Sequence, residues 1–242
     1  MKKNNKIYLL QTARSGSKSV KNKNILNING LPLYLYNILY AKKSKYIKDI
    51  YVSTDDSFIL KSANKYNYNT IDRPIELCQD DSSHLETIRH GVLEIEKAIG
   101  EEIDILAIVL GNSLGAKTED LDKAIEILKN DKSLDSVTSV SRFNMFNPFR
   151  AHNICNDGIL KTFMPQKYIK SMSQNVNIND RNSAGSIYFF NGSFWICRRR
   201  AIFDDNGLLP FSWVGQKSYA YVQDTTMELD DLWQLSFIRE HT

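Results

Sequence analysis

The sequence predicts an α/β protein, a mostly parallel sheet flanked by helices, and three observations carry that prediction. Short apolar runs at residues 7–10, 47–52 and 103–110 have strand length and end in small or polar residues. Segments with apolar residues at helical spacing, such as Leu35, Ile38 and Leu39, alternate with them. The run at 103–110, Ile-Asp-Ile-Leu-Ala-Ile-Val-Leu, is apolar almost throughout, as a central strand covered on both faces must be. The resulting βαβαβαβ order requires right-handed crossovers between parallel neighbours.

Element by element, a first strand at residues 7–10 is followed by a loop. Gly30-Leu31-Pro32-Leu33 opens a helix, with Pro32 suited to its first turn. The strand at 47–52 runs into Ser53-Thr54-Asp55-Asp56, where at least one Asp caps a helix over 58–66. A short strand at 69–71 precedes Asp72-Arg73-Pro74. Ser83-His84-Leu85-Glu86 has capping-box form and opens a helix through about Ile99. After the central strand, Thr118 caps a helix through Leu128, and 136–140 is another strand. From Arg142 to Gly185 the periodicity fails, which reads as an insertion forming a lid or a subunit contact. Residues 186–190 and 193–197 are strand-like again, and a final helix covers about 232–239. The chain reads as one domain over 1–242 with an insertion at about 142–185.

Composition narrows the function classes. A chain of 242 residues with 42% hydrophobic and 24% charged residues is ordinary for a globular protein, and a net charge of +3 does not argue for nucleic-acid binding. Cys78, Cys155 and Cys197 have no metal spacing and read as reduced thiols in a cytoplasmic protein. The run at 7–10, although preceded by Lys2 and Lys3, is too short for a signal peptide, and Arg14 interrupts any extension. No stretch approaches the roughly 20 apolar residues of a membrane span. His84, His90, His152 and His241 lack metal spacing and are assigned no catalytic role.

The chemistry concentrates just after the first strand. The loop after a parallel strand lies at the sheet's carboxyl edge, where open α/β folds bind ligands. Ser15, Gly16 and Ser17 leave the backbone uncrowded, so amide N–H groups can turn toward a polyanion. Arg14, Lys18, Lys21 and Lys23 add the positive charge a triphosphate needs. Strand, small-residue turn and cations in that order make a phosphate site.

Ala13-Arg14-Ser15-Gly16-Ser17-Lys18, with Lys23-Asn24 after it, resembles the nucleotide-binding signature of the acylneuraminate cytidylyltransferase family, which includes the CMP-sialate and CMP-Kdo synthetases. The resemblance continues through Asn29-Gly30-Leu31-Pro32-Leu33, Tyr51-Val52-Ser53-Thr54-Asp55-Asp56 and Arg73-Pro74. It resumes at Thr118-Glu119-Asp120, Asp135-Ser136-Val137-Thr138-Ser139-Val140 and Asn191-Gly192. It implies a Rossmann-like sheet that binds CTP, transfers CMP to a small anionic acceptor and releases pyrophosphate. Matched by position, Arg14, Lys18 and Lys23 would hold the triphosphate, Asn24 and Arg73 would read the cytosine, and Ser82 and Ser83 would lie near the nucleotide. The family's paired acids before the last helix correspond to Glu228 and Asp230, expected to hold Mg²⁺, with Asp224 a rival ligand. Pairing of two copies through the excursion, a homodimer, is also implied.

The departures fall where the acceptor would sit. Sugar-acid members carry a Gln-Pro-Thr-Ser-Pro-Leu-Arg loop, whereas this chain has Leu110-Gly111-Asn112-Ser113-Leu114-Gly115-Ala116. An amide and a guanidinium are lost, although Lys117 follows one position later. The Arg usually just ahead of Asn-Gly is also missing, its place taken by Phe189. Asn112, Ser113, Arg150 and Arg181 are the candidate acceptor contacts. The profile resembles a divergent branch of capsule phosphoramidate synthesis, CTP:phosphoglutamine cytidylyltransferase, so the expected acceptor is phosphoglutamine and the product CDP-glutamine. The alternative is CMP activation of sialate, legionaminate, pseudaminate or Kdo for surface glycans. A reading from another class, a non-catalytic nucleotide-binding module, predicts CTP binding without pyrophosphate release.

Overall fold

The computed structural model describes residues 6–182, 185–224, 226 and 228–242. In chain order its strands are β1 (Ile7–Thr12), β2 (Asn27–Ile28), β3 (Leu31–Pro32), β4 (Ile50–Thr54), β5 (Asn69–Asp72), β6 (Ile105–Leu110), β7 (Ser136–Arg142), β8 (His152–Ile154), β9 (Leu160–Thr162), β10 (Tyr188–Arg198) and β11 (Ser218–Val222). The helices are α1 (Leu35–Ala41), α2 (Ser57–Tyr66), α3 (His84–Ile99), α4 (Thr118–Asn130), α5 (Gln166–Ser173), α6 (Arg199–Ile202) and α7 (Gln234–Glu240). The chain divides into two compact units, residues 1–139 with 191–242, and residues 140–190.

The main sheet has the order β11-β7-β10-β6-β1-β4-β5. β1 pairs parallel with both β4 and β6, and β4 with β5. The chain therefore winds outward from β1 through β4 to β5, then returns to β6 on the other side of β1. Loops after β1 and β6 diverge at this reversal, which leaves a crevice at their carboxyl ends. Both strands are buried on two faces, which is why their sequences are apolar runs rather than alternations. Leu9, Ala107 and Val109 pack among α1, α2 and α4, while Leu10, Leu106 and Ile108 pack among α3 and the aromatic Trp195 and Trp213. Each such buried aliphatic side chain contributes about 1.5–3 kcal/mol.

Local signals account for the helix starts. The Asp56 carboxylate accepts from the Phe58 and Ile59 amides, and the Ser83 hydroxyl accepts from the Glu86 amide. Thr118 differs from expectation. It is the first helical residue rather than the cap, and its hydroxyl donates to the Tyr40 carbonyl at 2.8 Å, tying α4 to the end of α1.

Two expectations need correction. Residues 30–33 do not begin a helix. Asn29 and Gly30, at φ 45° and 96°, form the turn of a β2–β3 hairpin, and α1 starts only at Leu35. Pro32 is as compatible with an extended edge strand as with a first helical turn, and the Asn-Gly pair decides the matter. The two strand-like runs at 186–190 and 193–197 also merge into one strand, β10, which runs antiparallel to β6 with Trp195 opposite Ile108. That reversal carries Gly192 to the carboxyl end of β6.

A small separate core lies beneath the site loops. Val20, Ile28, Leu33, Leu114, Leu229 and Ile238 bring together the end of the loop after β1, the hairpin, the loop after β6, the acidic segment and α7. The unit at 140–190 holds the β8–β9 hairpin and α5, whose residues have no buried positions. It exposes Phe146, Ile154, Leu160 and Phe163.

Candidate active site

The loop after β1 is held from beneath by the end of β4. The Thr54 hydroxyl donates to the Ala13 carbonyl at 2.5 Å. The Asp55 carboxylate accepts from the Ser15 amide at 2.6 Å and from its hydroxyl at 2.5 Å. Burial alone would raise the Asp55 pKa, but these donors and the Arg73 charge hold it below the usual carboxylate range. The polar cluster after β4 thus has two functions, Asp56 capping a helix and Asp55 fixing the phosphate loop. No local pattern signals the second, because the partners are 40 residues apart. Gly16, at φ 72°, lets the loop turn outward with nothing packed over it.

A cavity of about 200 Å³ opens here, walled by Arg14, Lys23, Asn24, Arg73, Ser82 and Asn112, among others. These are six of the residues expected at the nucleotide or acceptor. Asn24 is buried and donates to the Arg14 carbonyl at 2.8 Å. Arg73, only 7% exposed, donates through Nε to the Ser53 hydroxyl at 3.1 Å and through Nη2 to the Ser53 carbonyl at 2.6 Å. Among the described residues its Nη1 has no partner. Ser82 lies in the wall, with its hydroxyl donating to the Glu76 carbonyl. Ser83 instead caps α3 and is exposed. Lys18 is exposed, and with Arg14 it pairs with Asp80.

The acidic segment is tied to two residues of the cavity wall, Asn112 in the loop after β6 and Lys23. The Leu229 amide donates to the Asn112 carbonyl at 2.7 Å, and Ser113 forms an antiparallel bridge with Glu228. The Asn112 side chain donates to Asp230 Oδ1 at 3.2 Å, and Lys23 Nζ lies 2.7 Å from the same oxygen. Glu228 packs against Gly192, where a Cβ would fall 2.0 Å from Glu228 Oε1. Only glycine leaves room for that carboxylate, and its φ of 70° is also one glycine adopts without strain. Burial, and then the neighbouring Asp230 charge, push the Glu228 pKa up to about 7. Two carboxylates crowded in this way form a donor set suited to a divalent cation. Among the described residues no third His, Cys, Asp or Glu joins them.

The remaining expected residues stand elsewhere. Ser113 is fully buried, its hydroxyl bonded to the Leu110 carbonyl at 3.3 Å and its own carbonyl accepting from Asn37 at 3.0 Å. It shapes the loop and does not face the cavity. Arg150 and Arg181 lie in the 140–190 unit, both exposed. Asp224 lines a second, larger cavity of about 550 Å³ with Lys117 and Asp120. The larger volume is not where the cations and acids converge. The Arg198-Arg199-Arg200 run is structural. Arg198 donates to the Leu128 and Leu134 carbonyls, Arg199 pairs with Glu96, and Arg200 with Asp135.

Several wall residues escaped the sequence, among them Asp80 and His84. His84 sits in the cavity wall at the start of α3, with Nε2 3.2 Å from the Thr12 hydroxyl and its ring edge-on to Trp213 at 5.0 Å. Burial, with a smaller contribution from the Arg73 charge, pushes its pKa down to about 4, so it is a neutral imidazole at working pH. A histidine inside a capping sequence carries no local sign of this.

Residues 9–188 match the cytidylyltransferase family model. The chain belongs to the cytidylyltransferase family. This cytidylyltransferase is accordingly a nucleotidyltransferase. It is 29% identical over 226 residues to post-translational flagellin modification protein B of Campylobacter coli, covering 93% of this chain and 89% of that protein. It is 28% identical over 227 residues to the CMP-N,N'-diacetyllegionaminic acid synthase of Campylobacter jejuni, with the same 93% and 89% coverage. A solved structure of CMP:2-keto-3-deoxy-manno-octonic acid synthetase complexed with CTP superposes with a TM-score of 0.65. It shares 15% identity and covers 98% of each chain, a likeness of fold. Among the described residues no helix is long and apolar enough to cross a membrane.

Proposed function

We propose that this cytidylyltransferase transfers CMP from CTP to an anionic sugar acid of the nonulosonic or Kdo kind, releasing pyrophosphate. The observation that carries the reading is that Arg14, Lys23 and Arg73 wall one cavity, with Lys23 ion-paired to Asp230 and Glu228 beside that acid. The acceptor class rests on what the relatives are named for. Arg14, Lys18 and Lys23 neutralise the triphosphate, and Asn24 and the unpartnered Nη1 of Arg73 face the base. Glu228 and Asp230 would hold Mg²⁺, which when bound would supply charge neutralisation for the phosphates. Positioning and neutralisation are the protein's whole task, since the acceptor oxygen attacks the α-phosphorus in line as pyrophosphate leaves.

Phosphoglutamine stands as a second acceptor because of one specific feature. Leu110 lies in the cavity wall and Ala116 is fully buried, so neither position offers a hydrogen bond to a sugar acid. Measuring pyrophosphate release from CTP with sialate, legionaminate, pseudaminate, Kdo and phosphoglutamine separates the two. Turnover of a sugar acid supports the proposal, and turnover of phosphoglutamine alone overturns it in favour of a capsule-modifying product.

A homodimer is part of the same reading, supported by the exposed Phe146, Ile154, Leu160 and Phe163 of the 140–190 unit. The free thiols Cys78, Cys155 and Cys197 support a reducing, cytoplasmic setting.

A further inference from the structure

The loop between the short turn at Ile75–Leu77 and α3 places one carboxylate on two of the cations assigned to the triphosphate. Asp80 Oδ1 accepts from Arg14 Nη2 at 2.6 Å, and its other oxygen pairs with Lys18 Nζ. The Arg14 fork is filled on its other side, because Nη1 donates to the Cys78 carbonyl at 2.9 Å. Asp80 also lines the nucleotide cavity, as do Gln79 and Ser82 from the same loop. A phosphate oxygen bound to Arg14 Nη2 and Lys18 together therefore contends with Asp80 for the same donors.

We propose that Asp80 is an internal competitor for the phosphate seat, which weakens the hold on pyrophosphate and speeds its departure. The proposal rests on the CTP reading above for the identity of the nucleotide.

The strength of the competition follows from counting charge. Asp80 brings one negative charge to two cations, at an exposed site where each pair is individually weak. A triphosphate or pyrophosphate brings several charges and more acceptor oxygens, and so outcompetes the carboxylate. CMP lacks the β- and γ-phosphates that contend for these cations, and so is little affected by the carboxylate. The same competition acts in reverse after transfer, because the carboxylate is tethered next to the cations and retakes them as pyrophosphate moves away. Product departure limits the rate of many enzymes, so a built-in competitor of moderate strength has a use that a bare cationic pocket lacks. Asp80 differs here from Asp55, which accepts from the Ser15 amide and hydroxyl and keeps the loop's shape rather than its charge.

The test is titration calorimetry of the full chain and its Asp80→Asn and Asp80→Ala variants with CTP, pyrophosphate and CMP, in magnesium-containing buffer without acceptor. Asp80 is exposed, and thermal melting of each variant verifies that it is folded. Both variants are expected to bind CTP and pyrophosphate about three- to tenfold more tightly than the wild type, with CMP changed less than twofold, as loss of two exposed ion pairs predicts. The advantage should shrink as salt is raised. Pyrophosphate should also become a correspondingly stronger product inhibitor. Unchanged or weaker binding of pyrophosphate by both folded variants overturns the proposal, since Asp80 would then be indifferent or would support Arg14. The pyrophosphate arm stands apart from the nucleotide reading. A wild type that takes pyrophosphate but ignores CTP contradicts the cytidine assignment, while the variants still report on Asp80.

Discussion

Lys23 Nζ lies 2.7 Å from Asp230 Oδ1, joining a loop near the start of the chain to an acidic segment near its end. Lys23 is half-buried, and Asn112 donates to the same carboxylate oxygen. The phosphate loop, the loop after β6 and the acidic pair therefore meet at one ion pair. A charge change at any of the three is felt by the other two.

Lys23 and Lys18 are expected to differ in a measurable way. Lys23→Met removes a triphosphate cation and also the counter-ion of Asp230, so pyrophosphate release should fall about 10²-fold, with a small loss of stability. Lys18→Met removes an exposed charge and should lower activity with almost no change in melting temperature. Steady-state kinetics and thermal melts on both variants verify this. Full activity in both would sink the phosphate-site assignment.

Two buried groups in the site give opposite pH signatures. His84 has a folded pKa of about 4, below its ordinary 6.5, so the unfolded chain takes up the proton first and stability falls as pH drops from 6.5 to 4. Glu228 has a folded pKa of about 7, above its ordinary 4.5, so the folded chain takes up the proton first and stability rises as pH drops from 7 to 4.5. Each effect is on the order of 3 kcal/mol, and in the wild type they largely cancel. Urea denaturation without metal between pH 4.5 and 8 should show His84→Gln gaining stability on acidification and Glu228→Gln losing it. Parallel pH profiles in the two variants would contradict both burial assignments.

Asp55→Ala should loosen the phosphate loop without touching a ligand. The Ser15 amide and hydroxyl lose their acceptor, and CTP affinity should fall about tenfold while the cations remain in place. Hydrogen exchange at residues 13–17 should rise in the variant. Protection equal to that of the wild type would show that Asp55 does not hold the loop.

Much of this site was legible in the sequence because its parts are local. A strand, then small residues, then cations within ten positions survive as a pattern wherever the chain folds. The capping box at Ser83 and the apolar run of β6 are equally local, and both reappear in the structure. The hairpin at residues 27–32 was also written locally, in Asn29-Gly30, but Pro32 is equally suited to two structures and favoured the helix. What could not be read is tertiary. Asp55 on Ser15, His84 behind the cavity and Glu228 against Gly192 depend on strands that are neighbours only after the chain reverses at β1 and β6.

Gly192→Ala isolates one of these tertiary contacts. A Cβ 2.0 Å from Glu228 Oε1, on a backbone at φ 70°, should displace the carboxylate and cost about 1–3 kcal/mol. Apparent Mg²⁺ affinity in the turnover assay should fall with it. A variant with wild-type stability and metal dependence would show that Glu228 does not need that space.

The smaller cavity is the proposed CTP site. A crystal structure of the protein grown with CTP and Mg²⁺ tests this most directly. The triphosphate is predicted on Arg14, Lys18 and Lys23, the cytosine beside Asn24 and Arg73, and the ion on Glu228 and Asp230. Nucleotide bound instead in the larger cavity beside Lys117 and Asp120, with Glu228 and Asp230 touching no metal, would contradict it.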